Sequence, residues 1–266
     1  MRELVILLYP AIAALYGLSA WLRTVPGGVR VRPAAAVLAL ALVLHALAVE
    51  QAIVTPTGFD LSFSHALSLV ALLTCLVAAL SGVLAKLPAV GNVILPVAAV
   101  CALAPLTGGS PHRFVYADAP WATAHIAVAL VAYALFVVAA LHALLVAGLE
   151  KRLHRGLALP EADGTVPLQT LERFLFRLVA LGFALLTLTL ASGFLFSEQL
   201  FGRPVTFNHK NVFSVAGWLA FGTLLYGHWR YGWRGRRALY WILGGTALLV
   251  LGYLGSKFVA EVLLGR

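Results

Sequence analysis

Apolar residues run along this chain in unbroken blocks of roughly 20, set apart by short stretches rich in glycine, proline and arginine. A block of that length matches the ~20 residues a helix needs to cross a ~30 Å hydrocarbon core. None of the blocks alternates over ten residues, which excludes a transmembrane barrel. The pattern predicts eight helices, at residues 3–21, 32–51, 62–85, 88–105, 120–149, 171–196, 209–228 and 237–263, forming a single all-α transmembrane domain over 1–266. The punctuation agrees: TPTGFD follows the second block, Pro88 and Pro120 open the fourth and fifth, and KRLHRGLALPEADGTVPLQT separates the fifth from the sixth. Proline is well placed at a first helical position, where its missing N–H has no intrahelical partner to lose. The first block has a small-residue stretch, Leu18-Ser19-Ala20, resembling a cleavage site. Its positive flank is weak before the block (Arg2) and strong after it (Arg23, Arg30, Arg32), which suits a retained anchor.

Composition fixes the solvent. The chain is 62% hydrophobic and only 11% charged, with a mean hydropathy of +0.95, whereas about a quarter of a soluble domain is charged. Lipid must cover most of this surface, and helices satisfy their own backbone groups there. The net charge of +9 could suggest nucleic acid as a partner, but its distribution says otherwise. With the N-terminus outside, 13 of the 19 basic residues, among them Arg23, Arg152, Arg177 and Arg234, fall on one side. Basic loops mark the cytoplasmic face, so the expectation is N-out and C-out, with membrane lipid and not nucleic acid as the surrounding partner. The arginine-rich turn Arg230–Arg237 then reads as a topology anchor.

The same topology sorts the eight histidines. His45, His65, His125 and His209 fall near the outer ends of four different helices, and His228 sits at the inner end of the seventh. From His209 to His228 is 19 steps, roughly 28 Å if helical, so one imidazole stands near each face of a single helix. Imidazole is neutral near physiological pH and is a common axial ligand for haem iron. Ordinary interhelical hydrogen bonding is the competing reading, and the better one for His142. His112 and His154 read as loop residues. Glu50 follows His45 by five residues and could orient it; Lys257 and Glu198 read as side chains snorkelling to the interface. Trp229 and Trp233 read as an aromatic belt. Cys75 and Cys101 lie inside apolar blocks, and no CxxC or CxxCH pattern exists for thiol redox chemistry or covalent haem.

Three segments then carry a resemblance: WATAHIAVALVAYALFVVAALHALL, LERFLFRLVALGFALLTLTLASGFLF and the run from HKNVFSVAGWLAFG through GWRGRRALYW to GSKFV. Together they resemble the cytochrome c assembly family of haem-handling membrane proteins that includes CcsA and CcmC. Length, helix number and LHALAVE on the second helix resemble its YpjD/HemX-like branch. The resemblance implies that His125 is the external haem-ligating histidine, that His228 is the histidine at the inner helix end, and that His209 and Lys210 fall at the family's DPKE segment. It implies non-covalent haem held by His125 with His209 or His45, a second site at His228, and other cytochrome biogenesis proteins as partners in a bacterial inner membrane. Two features depart from the family pattern: SEQLFGRPVTFN has no tryptophan, and no histidine follows the last helix. The resemblance therefore carries haem binding across, and not the presentation of haem to an apocytochrome. No nucleophile–base pair points to an enzyme. A non-haem scaffold subunit and a small-molecule transporter are the alternative readings.

Overall fold

The computed structural model describes residues 2–24, 31–55, 58–81, 88–108, 113–114, 120–155, 167–195 and 209–264. Eight α-helices carry nearly all of them: α1 Arg2–Thr24, α2 Val31–Ile53, α3 Phe63–Leu80, α4 Pro88–Ala102, α5 Pro120–His154, α6 Leu168–Leu195, α7 His209–Tyr231 and α8 Gly235–Val250. The chain is an all-α polytopic membrane protein, as its apolar blocks require. Among the described residues, seven helices are long and apolar enough to cross a membrane. The eighth, α7, has 23 residues, roughly 34 Å at 1.5 Å per residue, which suffices in length. Its glycines, its ring-bearing residues and its basic ends hold its hydropathy below that of its neighbours.

A small antiparallel sheet interrupts the helices at segments whose residues signal only turns and loops. Strands β1 Val54–Thr55, β2 Gly58–Asp60 and β3 Arg113–Phe114 lie in that order, with Val54 opposite Phe59 and Asp60 opposite Arg113. Strands of two or three residues are too short to show alternation.

The chain forms two compact units, Met1–Thr123 with Leu254–Arg266, and Ala124–Tyr253. In the first, α1 packs on α2 and α4, and α3 packs on the same two helices. The face of α1 that is buried holds Tyr9, Ile12, Tyr16, Ser19 and Ala20, a helical stripe with the spacing of one face. Opposite it on α2 stand Ala34, Leu38, Ala41, His45 and Ala48; small residues let membrane helices approach closely. The Ser19 hydroxyl donates to the Ala34 carbonyl at 2.9 Å.

The chain's last segment belongs to this unit and departs from α geometry. Past α8 the helix widens into π turns at Leu251–Gly255 and Phe258–Leu263, a form concentrated at functional sites. Lys257 and Glu261 pair at 3.2 Å, with side chains only 11% and 5% exposed. The Lys257 ammonium also donates to the Leu61 carbonyl, and Glu261 accepts the Phe63 amide. Ser62, at the N-cap of α3, makes no side-chain cap, so the carboxylate of Glu261 serves one of the orphan amides of that helix. Lys257 is thus not a snorkelling side chain; its charge is satisfied inside the protein. Glu198 lies outside the described residues.

In the second unit α5 is the buried helix. Phe136 stacks on Phe221 at 3.8 Å with planes 13° apart, and two glycines make room for the pair. A Cβ at Gly182 would lie 3.0 Å from the Phe136 ring, and one at Gly245 would lie 2.8 Å from Phe221. The Thr246 hydroxyl donates to the Phe136 carbonyl at 3.4 Å.

Candidate functional site

His125 stands in the second turn of α5 and is half-buried. Its Nδ1 lies 2.8 Å from the Ser192 hydroxyl on α6. The same hydroxyl lies 3.1 Å from the Thr189 carbonyl of its own helix. In the tautomer with the ring proton on Nδ1, the hydroxyl accepts from His125 and donates to Thr189, and the imidazole lone pair is on Nε2. The neighbouring residue is Gly193, where a Cβ would come within 3.4 Å of the imidazole Cε1. A serine in hydrogen-bond reach of Nδ1 and a glycine against the ring edge stand side by side on α6. Metal-binding histidines are held this way, by a hydrogen bond from the nitrogen that does not ligate.

His228 is set by the same logic at the other end of α7. Its Nδ1 donates to the Trp233 carbonyl at 2.9 Å, and its ring stacks on Phe176 at 3.5 Å. The carbonyl is held in place by a tight turn. The Gly232 amide donates to the His228 carbonyl at 3.0 Å, and the Trp233 amide to the Gly227 carbonyl at 3.2 Å. Gly232 and Gly235 adopt φ of 67° and 57°, a region that favours glycine. The Trp233 ring lies over Gly227, where even a Cβ would collide with it. Beside Phe176 lies a small recess of ≈ 10 Å³, lined by Ala143, Val146, Glu172, Leu175, Gly235 and Ala238. Its charged wall is an acid, and the Glu150 carboxylate approaches Gly235 closely enough to touch a Cβ there.

The Cytochrome C assembly protein family matches residues 35–264. The chain belongs to that family. The "Inner membrane protein YpjD" of Escherichia coli K12 is 33% identical over 230 residues, covering 84% of this chain and 85% of the relative. An uncharacterised 28.8 kDa protein of Azospirillum brasilense is 36% identical over 168 residues, 62% of each chain. The "Cytochrome c biogenesis protein CcsA" of Gloeobacter violaceus is 29% identical over 93 residues, 35% of this chain and 28% of its own. No solved structure matches.

The other histidines of this family member are placed differently. His45 is fully buried in the first unit, and both of its ring nitrogens are engaged: Nδ1 with the Tyr16 hydroxyl at 3.0 Å and Nε2 with the Ser68 hydroxyl at 2.9 Å. To ligate iron it would have to give up one of them. Glu50 is exposed and is not its partner. His209 is the exposed first residue of α7, in the same unit as His125. His65, in the first turn of α3, has Nδ1 3.0 Å from the Ser62 hydroxyl and 3.7 Å from Asp60. His142 is an interhelical hydrogen-bonder, its Nε2 3.0 Å from the Leu171 carbonyl, while its buried Nδ1 has no partner among the described residues. His154 is exposed and bonds the Glu150 carbonyl of its own helix at 2.9 Å. His112 and the SEQLFGRPVTFN loop lie outside the described residues. Trp229 is 80% exposed, whereas Trp233 turns inward over Gly227 and is not a belt residue. Ser192, Ser68 and Tyr16, the residues that decide what each imidazole can do, carried no signal in the sequence; they are ordinary polar residues, 67, 23 and 29 positions from the histidines they touch.

Proposed function

We propose that this protein binds haem non-covalently in a bacterial inner membrane, with His125 as principal axial ligand and His209 as the second. His45 is the alternate, at the cost of its buried hydrogen bonds, and His228 marks a second, inner site. The role is binding and handling of haem, alongside other cytochrome biogenesis proteins, and not catalysis. The observation that carries the reading is the Ser192–His125 contact at 2.8 Å, which in the tautomer protonated on Nδ1 orients the ring as metal-binding histidines are oriented. Bound haem would supply redox-active iron; the residues supply orientation and a low-dielectric surround. With no CxxCH in the chain, acid–acetone should extract the haem from protein made with excess haem supplied. Haem that stays with the polypeptide would contradict non-covalent binding.

Membership in a family containing CcsA supports this reading, as does the name of the YpjD relative for the membrane. The absence of tryptophan from SEQLFGRPVTFN favours one alternative, a subunit that keeps the fold without haem. The topology we assign is N-out and C-out, with α7 crossing the membrane and the Lys151–Arg177 and Arg230–Arg237 segments cytoplasmic. In a variant lacking Cys75 and Cys101, an impermeant thiol reagent applied from outside should label a cysteine at position 109 and miss one at 164. The opposite pattern would overturn the topology.

A further inference from the structure

The turn between α7 and α8 carries four exposed arginines, Arg230, Arg234, Arg236 and Arg237, within eight residues. Three of them are held by aromatic side chains of the same turn. The Arg230 guanidinium lies over the Tyr231 ring at 5.5 Å, and that of Arg237 over Trp233 at 5.3 Å. Arg236 donates to the Tyr240 hydroxyl at 3.1 Å. Trp233 is itself fixed, stacked on Trp241 and packed over Gly227, so the guanidinium above it rests on a rigid platform. An arginine that served only to mark topology would need no such placement. Glu150 and Glu172, on the protein side of the turn at Gly235, are the nearby acids. Four cations against two carboxylates leave the turn at +2.

Two exposed stripes lead into this cluster. On α7, Leu219, Thr223 and Tyr226 face outward and end at Arg230; on α8, Tyr240, Gly244, Ala247 and Leu251 face outward from Arg236. Residues at these spacings share one helix face. Trp229 and Tyr240 add exposed aromatic surface of the kind that seats at headgroup level. A soluble anion or an acidic protein would have use for the arginines but not for an apolar stripe running away from them into the membrane. A phospholipid uses both.

We infer that this turn is a binding site for the phosphate headgroup of an anionic phospholipid, its acyl chains lying along the outward stripes of α7 or α8. Guanidinium groups recognise phosphate by paired, charge-assisted hydrogen bonds, and the aromatic supports lower the ordering needed to make them. The site is independent of the haem reading. The test is native mass spectrometry of the full-length protein from micelles doped equally with phosphatidylglycerol and phosphatidylcholine. The wild type should retain phosphatidylglycerol preferentially, and Arg230→Gln/Arg236→Gln/Arg237→Gln should lower that preference at least about tenfold, since each basic residue near an anionic surface accounts for roughly a fivefold effect. Arg237→Lys, which keeps the charge and loses the planar group over Trp233, should give part of that loss. Lys151→Gln/Arg155→Gln, exposed and outside the turn, should change nothing. Equal retention of both lipids by the wild type, an unchanged preference in the triple variant, an equal loss in Lys151→Gln/Arg155→Gln, or displacement of lipid by millimolar inorganic phosphate would each overturn the proposal.

Discussion

His125→Ala removes or shifts the Soret band of the purified protein. The imidazole is placed by the Ser192 hydroxyl, 2.8 Å from Nδ1, and that hydroxyl lies 3.1 Å from the Thr189 carbonyl. Loss of an axial histidine leaves iron with a weaker field or no protein ligand at all. Ser192→Ala should act in the same direction and more mildly: the ring stays, but its orientation is no longer enforced, and losing the hydrogen-bond partner of a ligating histidine typically costs about 10–100-fold in metal affinity. His112→Ala should leave the band alone. A His125→Ala protein with an unaltered spectrum would remove His125 from the site.

Lys257→Met should be the most destabilising single change outside the candidate site. It leaves the Glu261 carboxylate, 5% exposed, without its cation while still tied to the Phe63 amide. Breaking a buried pair by removing one partner costs about 3–5 kcal/mol, because the remaining charge is uncompensated. Lys257→Met/Glu261→Gln should recover much of that loss, since the glutamine carbonyl can still accept from Phe63 and no charge is stranded. Thermal unfolding in detergent, followed by helical circular dichroism, reads both variants. A single variant as stable as the wild type, or a double variant no better than the single, would show that Lys257 is solvated after all.

These two sites mark how far the sequence could be read. Eight apolar blocks gave eight helices, with ends shifted by a few residues, because burial in lipid is a property of composition and length that any 20-residue window displays. What escaped was pairwise and distant. His45 looked like a ligand from its depth alone; Tyr16 and Ser68, on two other helices, occupy both its nitrogens. Lys257 looked like an interface residue until Leu61 and Glu261 were seen to enclose its ammonium. The strands at 54–55, 58–60 and 113–114 were too short to leave a periodic trace, and the π widening after Val250 has no compositional signature. His125 was singled out by family resemblance, while the reason it can serve, a serine 67 residues away, became visible only in the packed helices.

The central claim is that this member of the cytochrome c assembly family holds haem through His125. The most direct test is the visible absorption spectrum of the purified protein, recorded oxidised and after reduction, from cells supplied with excess haem. A Soret band that sharpens and moves on reduction, with α and β bands appearing beside it, is the predicted result for histidine-ligated haem. A colourless protein under the same conditions would contradict the assignment and leave a haem-free scaffold as the reading of the fold.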